Sequence, residues 1–222
     1  MAYNFGVSET LGTHTGWTLQ SLSINKTKDV SRVLGAAGDE AVINATNELQ
    51  SVAASYKCIS NTNTVPASLG ADIATDYVLT EISLTLNNAD YADMQLTAHK
   101  HNDGTPPAVS ALKEVAHGIT VAQAFGIAAA PLTGATTANS GTDWQSVSIR
   151  IACEHADQPG ASGTVVAHEN YDAYIEVTLT ALSAITAPTG YTVTAQTSPS
   201  ESNTEYETYS LTCRKGLTLA VV

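Results

Sequence analysis

Apolar and polar residues alternate with period two along most of this chain. Leu22 and Ile24, then Ile82, Leu84 and Leu86, then Met94, Leu96 and Ala98 set apolar groups on one face, with mainly Ser, Thr or Gln between them. That is the pattern of strands buried on one side. It returns later at Val147, Ile149 and Ile151, at Ile175, Val177 and Leu179, and at Tyr209, Leu211 and Cys213. Clusters rich in Gly, Pro and Asn at 61–66, 102–107, 158–163 and 187–190 separate these segments,. The prediction is an all-β chain. Two stretches compete with it. Asp39 to Ser55 holds good helix formers but no continuous apolar stripe, and reads as mainly strand. Ser110 to Ala124 places Leu112, Val115, Ala116 and Ile119 on one side and is the better helical candidate, weakened by Gly118,.

The alternation is not only repeated in kind. Phe5-Gly6-Val7 recurs as Phe125-Gly126-Ile127, and Gln20-Ser21-Leu22-Ser23-Ile24 recurs as Gln145-Ser146-Val147-Ser148-Ile149, an offset of 125. At the same offset Gly35-Ala36-Ala37-Gly38 matches Gly160-Ala161-Ser162-Gly163. A third block closes each copy: Tyr77 and then Asn88-Ala89-Asp90-Tyr91, against Tyr191 and then Asn203-Thr204-Glu205-Tyr206. Blocks in the same order at nearly constant spacing point to an internal duplication, and so to two units acting side by side. The units run from about Phe5 to Lys100 and from about Phe125 to Lys215. The expected organisation is therefore a first β-domain with an N-terminal arm over 1–100, a connector over 101–124 and a second β-domain over 125–222. A link of that length exceeds a hairpin, which makes it a candidate intersubunit arm.

Composition narrows the function classes. Of 222 residues 43% are hydrophobic, enough for a buried core, and only 14% are charged,. The charge is mostly of one sign: 21 acidic against 9 basic residues give −12, which disfavours tight nucleic-acid binding but allows contact without adhesion,. Cys58, Cys153 and Cys213 are odd in number and widely spaced, and are expected to be reduced and buried,. The start lacks a secretory pattern and no apolar run is long enough to cross a bilayer, so assembly in a cytosol and no membrane partner are expected.

Candidate chemistry is sparse. His99 and His101 project from one face of an extended strand, a geometry a metal could use, but Lys100 and the following turn residues explain the same letters as a polar strand end,. His155 beside Glu154 and His168 beside Glu169 read as solvated surface groups, because neighbours on a strand point to opposite faces,. No nucleophile elbow, phosphate loop, zinc-protease helix or dinucleotide fingerprint occurs. No catalytic, cofactor or metal residue is therefore assigned, and an enzyme is not expected. Trp17 and Trp144 stand ahead of the matched strands, and Tyr91 matches Tyr206; such rings suit a repeated core or interface contact, or sugar stacking,. The candidate assembly contacts are Phe5, Trp17, Pro106, Leu112, Ile119, Phe125 and Trp144.

The order of the blocks resembles the tail-tube proteins of tailed bacteriophages. The likeness is carried by the Ser-Leu-Ser-Ile strand running into Lys26-Thr27-Lys28-Asp29-Val30, by Gly38-Asp39-Glu40 before Ala41-Val42, and by Glu201-Ser202-Asn203-Thr204-Glu205-Tyr206 before a closing strand. The resemblance implies two tandem β-sandwich or barrel-like domains whose sheets join those of neighbours. It also implies stacked rings of self-associated chains, either trimeric and pseudo-hexameric or hexameric, with other tail proteins as further partners. The product would be a virion tail tube, assembled in the bacterial host cytoplasm, through which DNA passes without specific binding. The competing expectations are a tail terminator, baseplate or capsid decoration protein, and a carbohydrate-binding or adhesin sandwich.

Overall fold

The computed structural model describes residues 11–74, 76–101, 113–139, 141–161, 165–197 and 207–221. The chain is all-β, as the alternation predicts. In sequence order the strands are β1 (Trp17–Leu34), β2 (Glu40–Cys58), β3 (Ser68–Leu69), β4 (Asp72–Ala74), β5 (Tyr77–Asn87), β6 (Asp93–His101) and β7 (Lys113–Ala116). They continue with β8 (Thr136–Thr137), β9 (Trp144–Pro159), β10 (Val165–Ala181), β11 (Ile185–Thr186), β12 (Thr192–Thr197), β13 (Tyr209–Gly216) and β14 (Ala220–Val221).

One antiparallel sheet organises them in the order β1-β2-β6-β5-β9-β10-β13-β12, with β4 added beside β5. Each half contributes the same arrangement: a long hairpin, then a second hairpin whose last strand lies next to the first. The halves meet where β5 pairs β9, from Glu81 opposite Ala152 to Asn87 opposite Ser146. The sheet is thus continuous across the middle of the chain.

Period-two alternation decides which face is buried. Ile82, Leu84, Met94, Leu96, Val147, Ile151, Ile175, Val177 and Leu211 are almost wholly enclosed on one face. Leu11, Leu69, Ile119, Val121, Ala124, Leu132 and Ala135 cover that face from the intervening segments and two small sheets, β14-β7-β3 and β11-β8. The result is a sandwich-like pair of layers. All three cysteines are free and buried, as expected.

Asp39 to Ser55 is strand, within β2. The helical candidate is corrected: the described part of Ser110 to Ala124 contains β7 instead. Its backbone groups are taken up by β3 on one side and β14 on the other, and Gly118 has φ +68°, which a continuing helix cannot accept,. Ile119, Val121 and Ala124 then enter the core, so this end of the connector packs on its own chain. Gly70 shows how closely the cover approaches: at φ +82°, a Cβ there would lie 2.3 Å from the Lys113 carbonyl oxygen. That contact brings β7 against the outer end of β10, where Asn170 donates to the Lys113 carbonyl at 3.3 Å.

Candidate functional site

The two long hairpins extend well beyond the strands they flank. Beyond Asn25 the outer part of β1 is exposed throughout. The outer part of β9–β10 is not: Val165, His168 and Asn170 are buried. Strand β5 starts only at Tyr77, and past its beginning the outer ends of β9 and β10 come directly onto β6.

Four of the six histidines meet there. On β6, His99 and His101 lie on the face opposite Met94, Leu96 and Ala98, as alternation requires,. On the hairpin, Asp157 pairs with His168 and His155 with Asn170, so these four side chains share a face. The His99 and His155 rings stack with centroids 4.2 Å apart, and the His168 ring lies 4.8 Å from that of His99.

The polar contacts are uneven. Asp157 Oδ1 accepts from His101 Nε2 at 3.2 Å and from His168 Nδ1 at 2.6 Å. His168 Nε2 lies 3.2 Å from Asn170 Oδ1. His99 is 3% exposed, and neither of its ring nitrogens has a hydrogen-bond partner; the buried Nδ1 of His101 has none either. Burial, followed by the neighbouring His155 and His168, lowers the His99 pKa to about 3. Burial also lowers that of His155. Burial alone would raise the Asp157 carboxyl, but hydrogen bonds from His101 and His168 prevail and hold it well below the usual carboxylate range. The cluster therefore offers neutral His99 and His155 rings beside an ionised carboxylate at pH 7.

His99 and His101 do stand at the end of β6, and Glu154 and Glu169 are exposed, but the reading of His155 and His168 as solvated surface groups is overturned. Each is polar in sequence, but the hairpin covers them. The cross-strand half of the site, Asp157 with His168, follows from the β9–β10 register. The contribution of β6 does not, because it depends on how the hairpin leaves the sheet.

Among the assembly candidates, Trp17, Ile119 and Trp144 are buried in the chain's own core and present little surface to a partner. Phe125 is half exposed and packs edge to face on Tyr91 at 5.4 Å, beside an isolated bridge between the two residues. Phe5, Pro106 and Leu112 lie outside the described residues, as does the segment 201–206. A groove of about 520 Å³ between Leu86, Thr120, Gln123, Leu132 and Ile149 has no titratable side chain in its lining. Comparison with known proteins finds no matching family and no curated relative.

Proposed function

We propose that this chain is a structural subunit that closes into rings through its sheet edges, and that the rings stack as the tail tube of a tailed bacteriophage. The observation that carries the reading is the strand order. The first half ends its part of the sheet on β5 and the second half begins on β9, and these two strands pair. The second half ends in the equivalent way on β12, and the first begins on β1; among the described residues neither edge has a further neighbour. Pairing β12 of one chain with β1 of the next would repeat the internal junction between chains. A head-to-tail contact of that kind removes both edges, and it closes into a ring when its rotation completes a circle.

The duplication of two β-domains belongs to the same proposal. By place in the sheet β1 corresponds to β9, β2 to β10, β5 to β12 and β6 to β13, and the matched blocks Gln20–Ile24 and Gln145–Ile149 fall on β1 and β9. The correspondence also gives the exposed hairpin a task. Within the chain the outer end of β9–β10 folds onto the end of β6; between chains the outer end of β1–β2 would fold onto the end of β13. Val30, Val33, Leu34 and Ile43, all more than half exposed, would then be covered. A lumen lined by an acidic, lysine-poor chain repels phosphates at short range and lets DNA slide,. Sugar binding has lost support, since Trp17 and Trp144, two of the rings it would use, are buried.

Negative-stain imaging of the purified chain, with its mass in solution measured across a dilution series, tests the proposal. Rings or tubes are expected. Val193→Lys, which puts a charge on the exposed edge strand β12, should leave a folded monomer,. A monomer at every concentration of the unmodified chain would refute assembly.

A further inference from the structure

We infer that the histidine cluster between β6 and the outer end of β9–β10 is a binding site for a divalent transition metal, with zinc the best fit, held by His99, His101 and His168. One nitrogen from each of these three side chains can be chosen so that all lie within 4.8 Å of one another. A tetrahedral zinc site with bonds of about 2.0–2.1 Å needs its nitrogens roughly 3.4 Å apart, so the rings would draw in by about 1 Å. That movement is within reach of side-chain rotation at the ends of strands.

The unpaired nitrogens are the second observation. Burying an imidazole without a partner for either nitrogen costs stability, and His99 is in that position,. His101 spends Nε2 on Asp157 and leaves Nδ1 buried and unpaired. His168 sets Nδ1 against Asp157 Oδ1 at 2.6 Å, which leaves Nε2, 3.2 Å from Asn170 Oδ1, as its atom for a metal. Asn170 is held in that orientation by its amide donating to the Lys113 carbonyl. Asp157 occupies the place of the outer carboxylate that commonly orients metal-bound imidazoles and fixes their tautomers. His155, stacked on His99, is positioned as the fourth ligand or as a wall that excludes water. Three or four imidazoles without thiolate favour zinc, with copper, nickel and cobalt as competitors.

The bound ion would tie the second hairpin to β6, and thereby one half of the sheet to the other. It would be a structural site, and it is independent of ring formation.

The full chain is stripped with a chelator, dialysed and titrated with cobalt(II) and zinc(II) salts. One cobalt per chain with the visible absorption of four-coordinate cobalt is expected, displaced by zinc, and zinc should raise the melting temperature. His99→Gln and His101→Gln should abolish the absorption, and Asp157→Asn should weaken binding about 10- to 100-fold. His14→Gln and His117→Gln, at histidines whose Nε2 atoms face the Leu11 and Pro66 carbonyls far from the cluster in sequence, should leave it unchanged. Because a cluster variant can misfold, zinc X-ray absorption of the unmodified chain gives a separate reading. At least three imidazole ligands support the site. An oxygen-dominated six-coordinate shell, or no stoichiometric binding, overturns it.

Discussion

In the first long hairpin Arg32 faces Ile43 across the strands; in the second, at the positions 125 residues on, Asp157 faces His168. Next to them Val30 faces Ala45, and His155 faces Asn170. The register is shared, yet one hairpin end stands in solvent with Val30 and Ile43 exposed, and the other is buried against β6. Backbone pairing alone therefore does not decide the environment of a hairpin; what lies beside it in the sheet does. The second has β6 within reach beyond the start of β5. The first is at the sheet's edge and, among the described residues, has nothing of its own chain to cover.

Truncation should expose this difference most strongly. Removing residues 154–170 deletes Val165, His168 and Asn170 from the interior, and we expect the melting temperature to fall on the order of 10 °C or the cooperative transition to disappear. Removing 28–47 and closing the strands with an Asn-Gly turn takes away mostly exposed residues and should shift it by only about 2 °C. The same truncation should abolish rings. Calorimetry and imaging of the two variants check both halves, and equal destabilisation would mean that the first hairpin also packs on its own chain.

A single-residue version follows at corresponding positions in the strands. Ile151 is fully enclosed at the junction of β5, β9 and β10, so Ile151→Ala should cost about 2–5 kcal/mol,. Its counterpart Lys26 is exposed, and Lys26→Ala should stay within about 0.5 kcal/mol,. Denaturant unfolding measures both.

Ile43→Lys separates exposure from purpose. In the monomer the side chain is 58% exposed, so stability should change by less than about 0.5 kcal/mol,. In a ring the same position would meet the next chain's β13 end and a buried lysine would carry a desolvation cost, so sedimentation should show monomers. Rings unaffected by this change would place the hairpin outside the contact.

The contrast also marks what could be read from sequence. Alternation at Ile82-Leu84-Leu86 and at Val147-Ile149-Ile151 identifies strands and their buried faces, because both depend only on the local period,. The helical reading of Ser110 to Ala124 failed because β7 draws its hydrogen bonds from β3 and β14, strands remote in sequence. The histidine site was hidden for a related reason. His99 and His101 are separated from His155 and His168 by more than 50 residues, and their letters look solvated until the hairpin is folded over them. Trp17 and Trp144, the first residues of β1 and β9, are both buried, which directs them to the core rather than to a partner.

The smallest expected effect concerns charge. Between β5 and β9 the internal junction carries the Arg150–Glu81 ion pair at 2.8 Å, with both side chains partly exposed. A double-mutant cycle on that pair should give about 0.2–1 kcal/mol of coupling at low salt, fading as salt rises. The proposed junction between chains has no equivalent: the residue corresponding to Arg150 is Asn25, β12 contains no charged residue, and neither does β1 from Trp17 to Asn25. Backbone hydrogen bonds and apolar cover would hold it, and neither is screened. Rings should therefore persist at 1 M salt, where the Debye length is about 3 Å, while the Arg150–Glu81 coupling vanishes. Salt-driven dissociation would shift the contact away from the β12 and β1 edges, towards the charged part of the first hairpin around Lys28, Arg32, Glu40 and Glu48.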